Sequence, residues 1–261
     1  MSHQISIVGS GNLGTNLCMT LFQHKFVINS IISRDIENAV HLASQCGAEA
    51  GDHPDDIPEI SDTIIFCVSD DVLPEILKGQ DFGNKLLIHT AGSMDMNVFK
   101  GYSENYAVLY PLQTFSKHHI ADFRNAPVFI ESINKYSNDR LQQIADKISR
   151  HVYELNSDER LKLHTAAVFA SNFTNHMYQI ATEITKDSGL GFEVFEPLIR
   201  ETTEKVLTKK NPKLCQTGPA VRNDQNTIQK HLNVLKQNKA LADLYKTLSN
   251  RIFETNRNKP E

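Results

Sequence analysis

Nothing in the sequence is apolar for long enough to sit in lipid. The uncharged run from His164 to Thr182 carries His164, Asn172, Asn175, His176 and Gln179, too much polar material for a membrane span, and is expected as a buried helix of a soluble protein. Basic residues form no block: 27 Lys and Arg stand against 31 Asp and Glu, a net charge of -4, so nucleic acid is excluded as the expected partner. The four cysteines, Cys18, Cys46, Cys67 and Cys215, are scattered, without a C-x-x-C pair or a Cys/His spacing suited to zinc. Reduced thiols in a cytoplasmic protein, and no metal, are the expectation. Met-Ser-His-Gln passes straight into Ile5 to Val8 with no basic or hydrophobic leader region, so no secretion signal is expected either.

What is present is ordinary globular material, with 40% hydrophobic and 22% charged residues, which excludes a disordered or fibrous chain. The 261 residues leave room for two domains or one large one. From residue 4 to about 155, short runs rich in β-branched residues alternate with amphipathic stretches, the pattern of parallel α/β structure. Strands are expected at Ile5 to Gly9, Val27 to Ser33, Thr63 to Ser69, Lys85 to Thr90, Ala107 to Pro111, Pro127 to Glu131 and Val152 to Leu155. Helices are expected near Leu13 to His24 and Ile36 to Cys46, the second capped by Asp35. After about Ser157 no strand-like run remains. The chain then reads as long helices broken at Ser188-Gly189-Leu190-Gly191 and at Asn211 to Asn226, so a domain of residues 1–155 is followed by an all-helical one of residues 156–261.

Gly9-Ser10-Gly11-Asn12-Leu13-Gly14 is a G-x-G-x-x-G that follows an expected strand and opens an expected helix. Gly9 permits the tight turn, Gly11 the approach of a pyrophosphate, and Gly14 the close packing of helix on strand. The free N–H groups at the helix start then face the phosphates. Dinucleotide binding follows. Roughly 20 residues on, such sites place an acid for a ribose hydroxyl or an Arg for a 2'-phosphate. Ser33 and Arg34 stand there and favour NADP, while Asp35 competes as a ribose ligand but is better explained as the helix cap.

Ligands gather at the carboxyl ends of strands in an open α/β sheet. The loops Cys67-Val68-Ser69-Asp70-Asp71 and His89-Thr90-Ala91-Gly92-Ser93 therefore border the nicotinamide half of the site, with Val68 and Ser69 on the cofactor and His89 and Ser93 toward a substrate. Asp70 and Asp71 also suit the cap and first turn of the next helix, and His89 is equally a core histidine or a group facing the site. On the helix from Glu159 to about Lys186, a 100° step puts Phe169, Phe173, Met177, Ile180 and Ile184 within about 80° of one another. His164, Ser171, Asn172, Asn175 and Gln179 fall on the opposite side, within about 100°. A face of neutral hydrogen-bonding groups suits either a cleft or a contact with the first domain. In the loop from Thr217 to Asp224, Arg222 and Asp224 form a surface pair or helix cap, or else Arg222 meets an anion with Asp224 orienting it.

G-S-G-N-L-G, the V-S-D-D turn, H-T-A-G-S, Tyr-Pro-Leu-Gln-Thr-Phe at 110–115 and the helical C-terminal half together resemble the 6-phosphogluconate dehydrogenase-like superfamily. Within it the chain is most similar to Rossmann-like proteins labelled NADP oxidoreductase whose C-terminal domain has no assigned function. A-A-V-F-A-S-N-F at 166–173 and T-G-P-A-x-R-x-D from Thr217 are similar to their C-terminal motifs. Pyrroline-5-carboxylate reductase, ketopantoate reductase and the β-hydroxyacid dehydrogenases are relatives. The resemblance implies an N-terminal Rossmann domain with a mostly parallel sheet plus an all-helical C-terminal domain, hydride transfer between a nicotinamide and a small anionic carbonyl, imine or hydroxyacid, and a homodimer through the helical domain. The hydroxyacid dehydrogenases carry a Lys four residues before an Asn on the long helix; here Val168 stands four residues before Asn172.

The expected mechanism places NADPH over Gly9 to Gly14 with Ser33 and Arg34 on its 2'-phosphate. His164 serves as proton donor, its ordinary pKa lying near neutrality. Asn172 orients the substrate, and Arg222 or Thr217 holds its carboxylate. Two alternatives stand beside this: an NADP-binding sensor or scaffold without turnover, and a deazaflavin-linked NADP reductase.

Overall fold

A computed structural model describes residues 3–117 and 119–257. Its contacts divide the chain into two compact units, Met1–Met177 and Tyr178–Glu261. The division falls inside a helix, later than the 155/156 boundary expected from the sequence.

The first unit is built on an eight-stranded sheet of order β3-β2-β1-β4-β5-β6-β7-β8. Its strands are β1 (Gln4–Val8), β2 (Val27–Ile32), β3 (Glu49–Gly51), β4 (Thr63–Phe66), β5 (Leu86–His89), β6 (Asn105–Pro111), β7 (Val128–Ser132) and β8 (Val152–Glu154). All neighbouring pairs run parallel except β6 and β7, which pair Ala107 with Ser132 and Pro111 with Val128 in antiparallel register. Each expected strand is found within a few residues of its place, because runs such as Ile64-Ile65-Phe66 are buried on both faces and suit only the middle of a covered sheet.

Period-two alternation sends these side chains to two separate cores. Ile5, Ile7, Ile65, Leu86, Ile88, Ala107 and Leu109 pack on one face with α1 (Asn12–Gln23), α2 (Ile36–Cys46) and α4 (Lys135–Ile148). Val8, Ile64, Phe66, Leu87, Val108 and Tyr110 pack on the other, with Leu73 and Leu77 of α3 (Leu73–Leu77) and with Phe99. Each fully buried Ile or Leu contributes about 2 kcal/mol. Helix α2 starts where expected, with the Asp35 carboxylate accepting from the Asn38 N–H at 3.1 Å. Helix α3 corrects an expectation: Pro74 in its first turn sets the start beyond Asp70 and Asp71, and neither caps it. Spacing alone kept the cysteines apart, yet the fold brings the Cys18 and Cys46 sulfurs to 3.8 Å as free thiols.

After β8 the chain enters α5 (Ser157–Ala167), opened by a reciprocal capping box of Asn156 and Glu159. A π-helical turn, Val168–Phe173, joins it to α6 (Thr174–Thr185). This wider turn departs from the 100° step assumed for the whole helix, so the two ends are out of the expected phase. The expected burial of this run also fails: no residue from His164 to Thr182 is buried, and Phe169 is 66% exposed.

The second unit is helical throughout: the end of α6, then α7 (Glu196–Lys209), α8 (Pro212–Cys215), α9 (Gln225–Val234) and α10 (Lys239–Asn256). Among its described residues only Ala220 and Ser249 are buried. Asp224 caps α9 by accepting from the Thr227 N–H at 3.0 Å and its hydroxyl at 2.7 Å, which settles that residue as a cap. Among the described residues, no helix is long and apolar enough to cross a membrane, and no group of three His, Cys, Asp or Glu is placed to hold a metal ion.

Candidate active site and nucleotide cavity

The turn from β1 to α1 has the form a phosphate cradle needs. Gly9 holds φ at +109°, and a Cβ there would strike the carbonyl of Cys67, the residue after β4. A Cβ on Gly14 would strike the Gly9 carbonyl, so the helix lies close on the strand. At Gly11 the opposite holds: a Cβ would meet nothing within 4 Å. That open space continues into a cavity of about 320 Å³ lined by Gly9, Ser10 and Gly11, by Ser33, Arg34 and Asp35, and by Cys67, Val68 and Ser69.

Ser10 donates to the Ser33 hydroxyl at 2.8 Å, tying the cradle to the end of β2. The exposed Arg34 guanidinium is thus set beside two hydroxyls, a donor group suited to a phosphate monoester. On the facing wall the Ser69 hydroxyl holds the Asp71 carboxyl below its ordinary range, and the Arg34 charge adds to the effect. Asn12 and Leu13 form the first turn of α1 and line the cavity with no side chain; Gly14 is buried beneath it. Asp52 and Pro54 also line it and carry no signal in the sequence. The cavity, the open Gly11 and the Ser33–Arg34 pair fit an NADP molecule.

A second cavity, of about 280 Å³, lies where the carboxyl end of β6 meets the long helix. Its walls are Tyr110, Leu112, Gln113 and Thr114 on one side, and His164, Ala167, Val168, Ala170, Ser171 and Asn172 on the other. The Tyr110 hydroxyl and His164 Nδ1 are 2.9 Å apart, their rings edge to face at 5.8 Å. His164 and Asn172 are therefore brought together, with Val168 in the same wall. Burial pushes the Tyr110 phenol above its ordinary pKa, and the nearby Arg160 charge pulls it back in part.

Arg160 explains how this wall is held. It is 1% exposed, paired with Glu131 of β7, and its other nitrogen donates to the Met94 carbonyl and, at 3.2 Å, to the Ser157 hydroxyl. Ser157 in turn donates to Glu131 through N–H and hydroxyl at 3.0 and 2.9 Å. One buried ion pair thus locks α5 to β7 and to the loop after β5, one turn before His164. Gly92 of that loop packs on His164 so closely that a Cβ would come within 2.5 Å of Cγ and Nδ1. Neither Arg160 nor Glu131 stood out in the sequence, since each looks like an ordinary helix or strand charge.

The remaining expected residues fall elsewhere. His89 is 1% exposed, its ring 5.7 Å from that of Phe99 and its Nδ1 accepting from the Ala91 N–H at 3.2 Å. Burial first, and the Arg160 charge second, lower its pKa to about 3, so it is a neutral core histidine and lines neither cavity. Ser93 is exposed and bonded to the Asp70 carboxylate. Thr217 and Arg222 belong to the second unit, in the loop that ends at the Asp224 cap.

Comparison with known proteins agrees with this anatomy. A family model described as NADP oxidoreductase, coenzyme F420-dependent, matches residues 4–92, and one described as a domain of unknown function, DUF2520, matches residues 126–252. A Bacteroides fragilis protein assigned as an NADP oxidoreductase, BF3122, has a structure similar to the chain at 40% identity and a TM-score of 0.89, over 97% of this chain and 98% of that one. An imine reductase from Myxococcus stipitatus, in complex with NADP+, shares the fold at 14% identity and a TM-score of 0.66, over 97% and 93% of the two chains. A reductive aminase from Aspergillus terreus, in complex with NADPH and ethyl levulinate, shares it at 13% identity and 0.73, over 98% and 94%. No curated protein matches the chain.

Proposed function

Because the chain belongs to the NADP oxidoreductases that join a Rossmann domain to a DUF2520 domain, we propose that it reduces the carbonyl or imine carbon of a small anionic substrate in the cavity of Tyr110, His164 and Asn172. It is an NADP-dependent oxidoreductase. Bound NADPH supplies the hydride. The observation that carries the proposal is the pairing of His164 with Asn172 at the carboxyl edge of the same sheet whose first turn forms the nucleotide cavity.

In this reading Ser33 and Arg34 hold the 2'-phosphate, while Gly9 to Gly14 cradle the pyrophosphate and Val68 and Ser69 border the nucleotide. Asn172 hydrogen-bonds the reacting heteroatom and orients it. His164 is the source of the proton that must meet the growing negative charge. The active form is a cytoplasmic homodimer through the helical domain of residues 156–261. What supports the dimer is the apolar surface that one copy leaves uncovered: Leu198 is 65%, Leu207 67% and Val234 71% exposed.

The test is a fluorescence titration with NADPH and NADH side by side, repeated with Arg34→Ala, followed by NADPH oxidation across a panel of keto acids and cyclic imines. NADPH is expected to bind more tightly than NADH, and the variant to lose about tenfold or more for NADPH alone. Equal binding of both nucleotides, unchanged in the variant, would refute the cofactor assignment. A nucleotide-binding protein without turnover is the second reading, favoured by Val168 in the cavity wall where an ionisable group would be of use. Tight NADPH binding with no oxidation by any substrate of the panel would select it.

A further inference from the structure

We propose that Tyr110 is a further catalytic residue of this reduction: its phenol touches the reacting nitrogen or oxygen and delivers the proton, and His164 stands behind it and replaces that proton. This rests on the reading under Proposed function and names the group that meets the substrate there.

Position comes first. In the order β1-β4-β5-β6, Tyr110 sits three strand spacings from the phosphate turn, about 14 Å, near the carboxyl end of its strand. An extended dinucleotide lying across the ends of β1, β4 and β5 would bring its reactive ring toward that residue. Tyr110 opens into the 280 Å³ cavity in company with Asn172.

Access comes second. The Nδ1 edge of His164 is covered by Gly92 on one side and is 2.9 Å from the Tyr110 hydroxyl on the other. A proton on Nδ1 therefore faces the tyrosine oxygen.

Charge comes third. Burial keeps the phenol in its neutral, donating form through the neutral pH range. As it gives up its proton, the Arg160 cation, itself paired with Glu131, favours the phenolate that forms.

Hydride from NADPH reaches the substrate carbon, the nicotinamide is oxidised, and the C=N or C=O bond is reduced to a single bond. The O–H bond of Tyr110 breaks and an N–H or O–H bond forms on the substrate. The imidazolium of His164 passes its Nδ1 proton to the phenolate, and water returns one to the imidazole.

Tyr110→Phe and His164→Ala, made in the full chain, test this with a substrate found active in the panel. Tyr110→Phe is expected to lower kcat by about 100-fold while KM and NADPH affinity stay close to wild type. His164→Ala loses less, about tenfold, and His164→Asn, whose amide can hydrogen-bond the phenol but has no proton to transfer, recovers little of that loss. A Tyr110→Phe chain that turns over within about twofold of wild type would overturn the proposal. A second arm needs no turnover: calorimetric titration of the NADP+-loaded protein with piperidine, whose nitrogen stands in for a cyclic amine product. Tyr110→Phe is expected to bind it at least about tenfold more weakly. Equal affinities would overturn the role of Tyr110 whether or not the wild type is active, whereas failure to bind NADPH at all would overturn the reading it rests on.

Discussion

His89 sits one strand away from Tyr110 on the same edge of the sheet, and the two ring-bearing residues have opposite fates. Tyr110 reaches a cavity, whereas His89 is closed in beside Phe99. The enclosure has a measurable result. Unfolded, the imidazole takes a proton below about pH 6.5; folded, burial and the Arg160 charge hold it neutral down to about 3. The unfolded state binds the extra proton between those values, so stability is complete above about 6.5 and is lost as pH falls toward 3, by at most about 1.4 kcal/mol per pH unit from this group. His3, lowered by burial and by Arg140, acts in the same direction. His89→Asn, which keeps an acceptor for the Ala91 N–H, is expected to lose less stability than wild type between pH 7 and pH 5 in urea unfolding. An identical loss in the two chains would show that His89 is not held neutral. The sequence could offer no choice between the two fates of His89, because its ring lies in the core by virtue of Phe99, ten residues later, and Arg160, on another element.

At the scale of the element, the β1–α1 turn is the clearest case of local sequence fixing local form. Gly9, Gly11 and Gly14 do three different jobs within six residues. Substitutions there should separate. Gly11→Ala puts a methyl group into open space, so the melting temperature is expected to hold while NADPH affinity falls by at least about tenfold. Gly14→Ala drives a methyl group into the Gly9 carbonyl and is expected to cost about 1–3 kcal/mol of stability, read by thermal unfolding. A Gly11→Ala chain with unaltered nucleotide affinity would place the phosphates elsewhere. Other elements were less legible. Strand β3, three residues at the sheet edge, is too short to carry a period, and α3 is set by Pro74 rather than by the acids before it. Most of all, a 100° step treats the long helix as one uniform spiral. Of its polar residues His164, Ser171 and Asn172 line a cavity and Asn175 and Gln179 do not, and the π turn and the 54-residue separation of Tyr110 from His164 are products of packing that no local pattern announces.

For the whole molecule the two units differ in how far they satisfy themselves. The first buries its apolar residues on both faces of the sheet. The second buries almost none, and Leu198, Leu207 and Val234 face outward. Apolar side chains in that number at a surface are expected to be covered by a second copy. Light scattering during size exclusion is expected to return twice the 29.4 kDa chain mass, and Leu198→Asp to shift the population toward single chains. A wild type of one chain mass at micromolar concentration would refute the homodimer. The composition already contained those residues, but an amphipathic period reports only that a face must be covered and is silent on what covers it.

The π turn at Val168–Phe173 has one more consequence, for how lineages are compared. A turn closed by i→i+5 bonds stores one residue more than the α turn it replaces. The extra residue lies within Val168–Phe173, where Ala170, Ser171 and Asn172 line the cavity, and it offsets the faces of α6 from those of a straight helix. Any correspondence drawn with a relative whose helix is straight must open a gap within that turn. Without the gap, every position from Thr174 onward is matched to its neighbour's counterpart, and the residue facing a given ligand atom is misassigned by one.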